Sequence, residues 1–261
     1  MGDFNAAFLK DVAHRPWKMP ESPWVMTQTW RDLLFAHWRV DPQQLRAKVP
    51  SQFPLDLFDR EAWIGVVPFR MSNVGPRGLP SLPGISEFPE LNVRTYVRVG
   101  AKPGVYFFSL DAGNAIAVRA ARTFLNLPYY NAAMKLTPLG GGGVAYESRR
   151  VGDGAAEFEA SYMASGDAFV PVEGSLEYFL TERYCLYNLD RRGVPYRLDI
   201  HHPPWSLQPA QAQLMRNTMT DASGIVLPDQ LPLLHFVRRQ DAVAWAPTRL
   251  TTTDRRLMTD D

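Results

Sequence analysis

From Phe88 to Arg98 the chain alternates with a period of two. Leu91, Val93, Thr95 and Val97 fall on one side, and Glu90, Asn92, Arg94, Tyr96 and Arg98 on the other. This is the periodicity of a strand. Gly100-Ala-Lys-Pro-Gly104 predicts a reversal into a second strand, where Val105, Phe107, Ser109 and Asp111 alternate with Tyr106, Phe108 and Leu110. Both faces of that strand are largely apolar, which places the hairpin at the centre of a sheet. A polar face on a central strand requires either solvent or a polar cavity. In the cavity case Glu90, Asn92 and Arg94 face the lumen, and Leu91, Val93 and Val97 face outer helices.

The same patterning predicts a strand over Trp30 to Trp38 and a short helix over Asp41 to Lys48, with Asp41 as N-cap and Pro42 in the first turn. Leu55 to Phe58 and Ala62 to Val67 predict a hairpin, its second strand running on through Phe69 and Met71. Gly75 to Pro89, rich in Pro and Gly, reads as a loop, long enough to serve in binding. Ala112 to Leu125 is the clearest helical pattern, with Ile116, Ala120 and Phe124 on one apolar stripe. Gly140 to Gly143 is a turn, and Val144 to Val151 with Ala156 to Ala164 form a hairpin about Gly152-Asp-Gly154. A short helix capped by Ser175, an aromatic strand over Arg183 to Leu189, and strands over Pro195 to His201 and Leu233 to Trp245 follow. Residues 1–29, with Pro16, Trp17, Pro20, Pro23 and Trp24, read as an extended arm, and 247–261 as a loosely ordered tail. The sum is an α+β, mainly β protein, one domain over 1–261, built on a large antiparallel sheet curled into a barrel.

Composition narrows the function. With 28 basic against 27 acidic residues the chain has no field to attract nucleic acid or an anionic membrane. The single Cys185 excludes an internal disulfide, which points to a reducing, cytoplasmic setting. No apolar run approaches the ~20 residues that cross a bilayer.

Metal chemistry finds little support. His37, His201, His202 and His235 form no HxH or HExxH pattern, His14 lies in the arm, and adjacent His201 and His202 point to opposite faces of a strand. No GxSxG elbow or phosphate-binding glycine motif is present, and Ser109 reads as a strand residue that could face a ligand. Arg94, Arg98, Arg119 and Arg122 could present guanidinium forks to a carboxylate, and the hydroxyls of Tyr129 and Tyr130 could donate into a cavity.

Six separated motifs, in order, then suggest a family. They are Leu33-Leu-Phe-Ala-His-Trp38, Trp63-Ile-Gly-Val-Val-Pro-Phe69, Glu90-Leu-Asn-Val-Arg-Thr-Tyr-Val97, Gly104-Val-Tyr-Phe-Phe-Ser-Leu-Asp-Ala112, Leu127-Pro-Tyr-Tyr130 and His202-Pro-Pro-Trp205. Together they resemble the YqjF-like family of unknown function, which is related to acetoacetate decarboxylase. The resemblance implies a closed, cone-shaped antiparallel barrel with an internal cavity and a few outer helices. Acetoacetate decarboxylase forms an imine on the second of two adjacent lysines after a proline; here the corresponding segment is Pro128-Tyr129-Tyr130. None of the five lysines, Lys10, Lys18, Lys48, Lys102 and Lys135, has a lysine neighbour.

The resulting expectation is a cavity that binds a small carboxylate- or carbonyl-bearing molecule without Schiff-base chemistry or cofactor. Glu90, Tyr129 and Tyr130 are the candidate catalytic groups for non-covalent proton transfer. Asn92, Arg94, Arg98, Ser109, Arg119 and Arg122 are the candidate ligand contacts. The same residues fit an enzyme or a binder. The alternative is a structural protein whose barrel is packed shut and whose Trp-rich arm mediates homo-oligomer contacts.

Overall fold

The structure is a computed structural model that describes residues 4–79, 86–152 and 154–251. Strand β1 (Met26–Val40) leads through the one-turn helix α1 (Pro42–Arg46) to β2 (Ala62–Pro76), β3 (Phe88–Val99) and β4 (Lys102–Ala112). Helix α2 (Ala115–Phe124) then precedes β5 (Tyr129–Pro138), β6 (Val144–Arg150) and β7 (Glu157–Ala164). Helix α3 (Leu176–Thr181) and strands β8 (Cys185–Leu189), β9 (Pro195–His201), β10 (Gln208–Asn217), β11 (Leu233–Ala244) and β12 (Thr248–Arg249) complete the order. The fold is mainly β with few helices. Each helix starts on a side-chain cap: Asp41 accepts from the Gln43 N–H, Asn114 from Ile116 and Ala117, and Ser175 from Tyr178.

The strands form one sheet in the order β12-β9-β8-β4-β3-β2-β1-β11-β10-β7-β6-β5. Two further pairings, β9 with β11 and β4 with β5, bring this order back on itself. The sheet is not wholly antiparallel as expected, because β4 runs parallel to both β5 and β8. Helix α2 is the crossover that a parallel β4–β5 pair requires.

Sheet strands β1 to β4 are covered on both sides. Leu33, Phe35, Val67, Phe69, Tyr96 and Leu110 join one core cluster. From the opposite face Leu34, Ala36, Ile64, Val66, Leu91 and Val93 pack against Val144, Tyr146, Phe158 and Tyr162 of β6 and β7. The outward face of β3 thus meets other strands rather than the helices expected, and Val97 joins a third cluster with Val49 and Phe53.

Several local expectations are corrected. Leu55 to Phe58 is not a strand; it makes only the isolated bridges Leu55 to Val97 and Phe58 to Glu61, around Asp59 and Arg60 at positive φ. Strands β5 and β10 occupy segments in which no strand was expected. Strand β2 extends into the expected loop as far as Pro76, and residues 80–85 of that loop lie outside the described residues. Asp153 of the Gly152 to Gly154 turn lies outside them as well. In the expected tail Thr248 and Arg249 pair with Arg197 and Tyr196, and 252–261 are outside the described residues. The stripe Ile116, Ala120 and Phe124 is exposed, and Val118 is the buried residue of α2.

The arm packs on the body of its own chain. Trp17 sits edge-on to Tyr184 with its ring N–H on Asp199 Oδ1 at 3.4 Å, and Arg15 donates to the Ile200 carbonyl at 2.7 Å. Among the described residues no helix is long and apolar enough to cross a membrane.

Candidate functional site

The inward face of β3 delivers Glu90, Asn92 and Arg94 into a cavity of about 510 Å³. Alternation puts all three on one face, and the packing of Leu91 and Val93 against the β6–β7 layer fixes which face is inward. Apolar side chains make up most of the wall, among them Leu33, Val67, Phe69, Phe107 and Leu110. Trp30 and Trp205 stack on one another at 5.6 Å along the same wall.

Glu90 is 2% exposed, and among the described residues its only side-chain hydrogen bond is with the Tyr129 hydroxyl, which donates to Oε2 at 2.9 Å. Burial pushes its carboxyl up to about 8; the Tyr129 bond opposes this rise and the nearby Asp111 charge adds to it. The group is therefore predominantly a neutral acid at pH 7. Burial and the Glu90 carboxyl likewise hold the Tyr129 phenol well above its ordinary value, so it remains a donor. The backbone around the pair is fixed from two sides: Tyr146 donates to the Glu90 carbonyl at 2.7 Å, and Arg122 Nε donates to the Tyr129 carbonyl.

Arg94 differs from its neighbouring arginines. Arg183, also in the cavity wall, is held by Asp56 and by the Phe179 carbonyl, and Arg98 bonds the same Asp56 at 2.9 Å. Arg94 has no carboxylate partner among the described residues. Its Nη2 donates to the Leu180 carbonyl at 3.2 Å, its Nε has no partner, and its guanidinium carbon lies 5.0 Å from the Phe35 ring centre. Glu90 and Arg94 are four residues apart on one strand, about 13 Å at the usual rise, so the acid does not serve as the counterion. Asn92, between them, is 5% exposed and its Oδ1 is also without a partner.

The structure thus brings Glu90, Asn92, Arg94 and Tyr129 together and leaves the other sequence candidates elsewhere. Tyr130 is turned from the cavity and packs under the Arg150 guanidinium at 4.0 Å. Arg98 is committed to Asp56, and Ser109 is buried opposite Val93 on the far side of β4. Arg119 is exposed on α2, and Arg122 serves the Tyr129 backbone rather than the lumen.

Sequence reasoning assigned no role to Thr181, Arg183, His202 and Trp205, which also line the cavity. His202 and Trp205 belong to a recognisable motif, but a histidine tested only for metal spacing loses its role as a wall. The imidazole is fully buried and stacks on Tyr184 at 4.6 Å, and burial pulls its pKa down to about 4. Among the described residues no cluster of three or more His, Cys, Asp or Glu could hold a metal. Among the described residues no lysine lines the cavity.

Comparison with known proteins gives concordant results. Residues 27–241 match the model of DUF2071, an uncharacterized conserved protein family. The uncharacterized protein YqjF of Bacillus subtilis is 49% identical over 227 residues, 87% of this chain and 93% of YqjF. Similar solved structures include the enduracididine biosynthesis enzyme MppR in complex with the condensation product of pyruvate and imidazole 4-carboxaldehyde. It has a TM-score of 0.62 at 13% identity, over 92% of this chain and 97% of that one. Acetoacetate decarboxylase from Legionella pneumophila has a TM-score of 0.60 at 13% identity, over 96% and 98% of the two chains. An acetoacetate decarboxylase-like enzyme from Sphingomonas wittichii has 0.60 at 12%, over 92% and 100%. At these identities the likeness is one of fold.

Proposed function

The chain belongs to the DUF2071 family of uncharacterized conserved proteins, and on that premise we propose that it binds a small carboxylate-bearing carbonyl compound in its central cavity and moves a proton on it without a covalent intermediate. The returning strand order is read here as a closed barrel around that cavity, with residues 1–261 as one folding unit. The observation that carries the reading is Arg94, a guanidinium without a carboxylate partner in a largely apolar wall. A charge placed there is costly unless an anion joins it. Because Glu90 is mostly uncharged at neutral pH, the wall keeps a net positive centre for a monoanion.

Arg94 then holds the carboxylate, and the Asn92 Oδ1 accepts from a ligand donor. Glu90 faces the carbonyl end. As an acid it donates to an enolate; as the minor carboxylate form, steadied by the Tyr129 hydroxyl, it takes a proton from the carbon beside the carbonyl. A value near neutrality suits a group that must do both.

Two measurements test this. Pyruvate and acetoacetate should quench or shift the fluorescence of Trp30 and Trp205, and Arg94→Gln should weaken that response at least tenfold. In D₂O the protein should accelerate deuterium uptake at the carbon next to the keto group, and Glu90→Gln should abolish the acceleration. Failure of both keto acids to bind, or binding indifferent to Arg94→Gln, defeats the reading.

A further inference from the structure

The polar groups of the cavity wall are not spread evenly. On the inward face of β3 the order is Phe88, Glu90, Asn92, Arg94. Strand pairing sets Met71 beside Phe88, Phe69 beside Glu90 and Val67 beside Asn92. Arg94 lies at the α3 end, bonded to Leu180. Among the described residues the lining beyond Phe88, along Val74 and Val25, carries no charge, and the start of α2 lies at that end, where Gly113 donates to the Pro89 carbonyl and Ile116 joins the lining.

Two apolar α2 side chains are anomalous for a core-packing helix. Ile116 is 62% and Phe124 75% exposed, although both stand on the apolar stripe that would ordinarily be buried. They line the cavity and are exposed at the same time. A ligand whose anionic head sits on Arg94 would therefore extend past Asn92 and Glu90 along an apolar corridor and emerge against α2. From Arg94 to Phe88 is six residues of strand, about 20 Å. Allowing for the arginine side chain, the corridor suits an extended chain on the order of ten carbons.

Resting on the carboxylate reading above, we infer that the preferred ligand is an amphipathic acyl compound, a carboxylate with a linear apolar tail of medium length, which the site holds more tightly than the two- to four-carbon acids that engage only its polar end. Burying each added methylene contributes about 0.8 kcal/mol, roughly a fourfold gain in affinity.

The test uses the full-length protein and straight-chain saturated carboxylic acids from four to fourteen carbons, with the primary alcohols of the same lengths, read by calorimetry or Trp fluorescence. The expected result is a gain of about fourfold per methylene that levels off near ten to twelve carbons, acids binding better than their alcohols, and loss of that acid preference in Arg94→Gln. Ile116→Ser, at an exposed position where folding is readily checked by its melting temperature, should bring the levelling-off to a shorter chain. If short acids bind in an Arg94-dependent way but length adds nothing, the tail inference is overturned and the carboxylate reading stands. If affinity grows with length but acids and alcohols bind alike and Arg94→Gln changes neither, the carboxylate reading is overturned. Absence of binding by acids of every length defeats both.

Discussion

Glu90 carries a pH signature whose sign it shares with Asp111 and Glu182, two other carboxyls that burial pushes up. Its pKa in the folded protein, about 8, is above that of the unfolded chain, so the folded state holds the proton more tightly. Its contribution to stability is complete below the ordinary carboxyl value near 4.5 and declines as pH rises through about 8, by up to about 1.4 kcal/mol for each pH unit. His201 and His202 act in the opposite sense: burial holds both near 4, so stability declines as pH falls from about 6.5 towards 4. Chemical denaturation of the wild type from pH 4 to pH 9 should therefore show a maximum between these limbs. In Glu90→Gln, which keeps an acceptor for the Tyr129 hydroxyl, the alkaline limb should flatten and the acid limb remain. Proton abstraction by the carboxylate form should likewise rise through about pH 8 in the exchange assay. Tyr129→Phe removes the hydrogen bond from its hydroxyl to Glu90; it should cost about 1–3 kcal/mol and move the alkaline limb further up the pH scale.

At the level of elements, the junction of β4, β5 and β6 depends on one buried ion pair. Arg150 of β6 bonds both carboxylate oxygens of Asp111 on β4 at 2.7 Å, and both residues are buried. Arg150→Met would leave the Asp111 charge alone in the interior and should destabilise the protein by about 3–5 kcal/mol in denaturant melts. The β4–β8 contact depends on close approach: a Cβ at Gly104 would come within 2.7 Å of Tyr187 and 2.8 Å of the Cys185 carbonyl.

Such tertiary details explain what could be read from the chain. The β3 alternation was legible because a central strand with one polar and one apolar face has no other periodic reading. Strands β5 and β10 were not, since YYNAAMKLTP and QPAQAQLMRN alternate in burial but are rich in Ala, Gln and other residues of low strand propensity. Leu55 to Phe58 erred in the other direction: its leucines and phenylalanine resemble a strand, yet only single bridges hold it. The apolar stripe of α2 was found, but whether it meets a core or a cavity mouth depends on the parallel crossover, which no local pattern encodes. For the site, parity gave Glu90, Asn92 and Arg94 one face. Arg98 has the same parity but stands beyond the cavity, where Asp56 lies across from it.

For the molecule as a whole, no lysine among the described residues lines the cavity wall, and the proposed proton transfer therefore runs without an imine. An imine needs an amine delivered to a carbonyl inside a desolvated site, and the fold places each of the five elsewhere. Lys10 ends a short 3₁₀ turn in the arm, and Lys18 belongs to the same arm. Lys48 follows α1, and Lys102 opens β4 with its ammonium 5.8 Å from the Trp17 ring centre. Lys135 is exposed on β5 and paired opposite Glu147, in a strand that belongs to the outer layer. The segment after Pro128 supplies instead a phenol, Tyr129, whose hydroxyl is already committed to Glu90. Incubation with acetoacetate or pyruvate followed by borohydride should therefore leave the intact mass unchanged, even at ligand concentrations that shift Trp fluorescence. A stoichiometric reduced adduct mapped by peptide mass to Lys135, or to any of the other four, would show that an amine reaches the bound carbonyl and would replace non-covalent proton transfer with covalent catalysis.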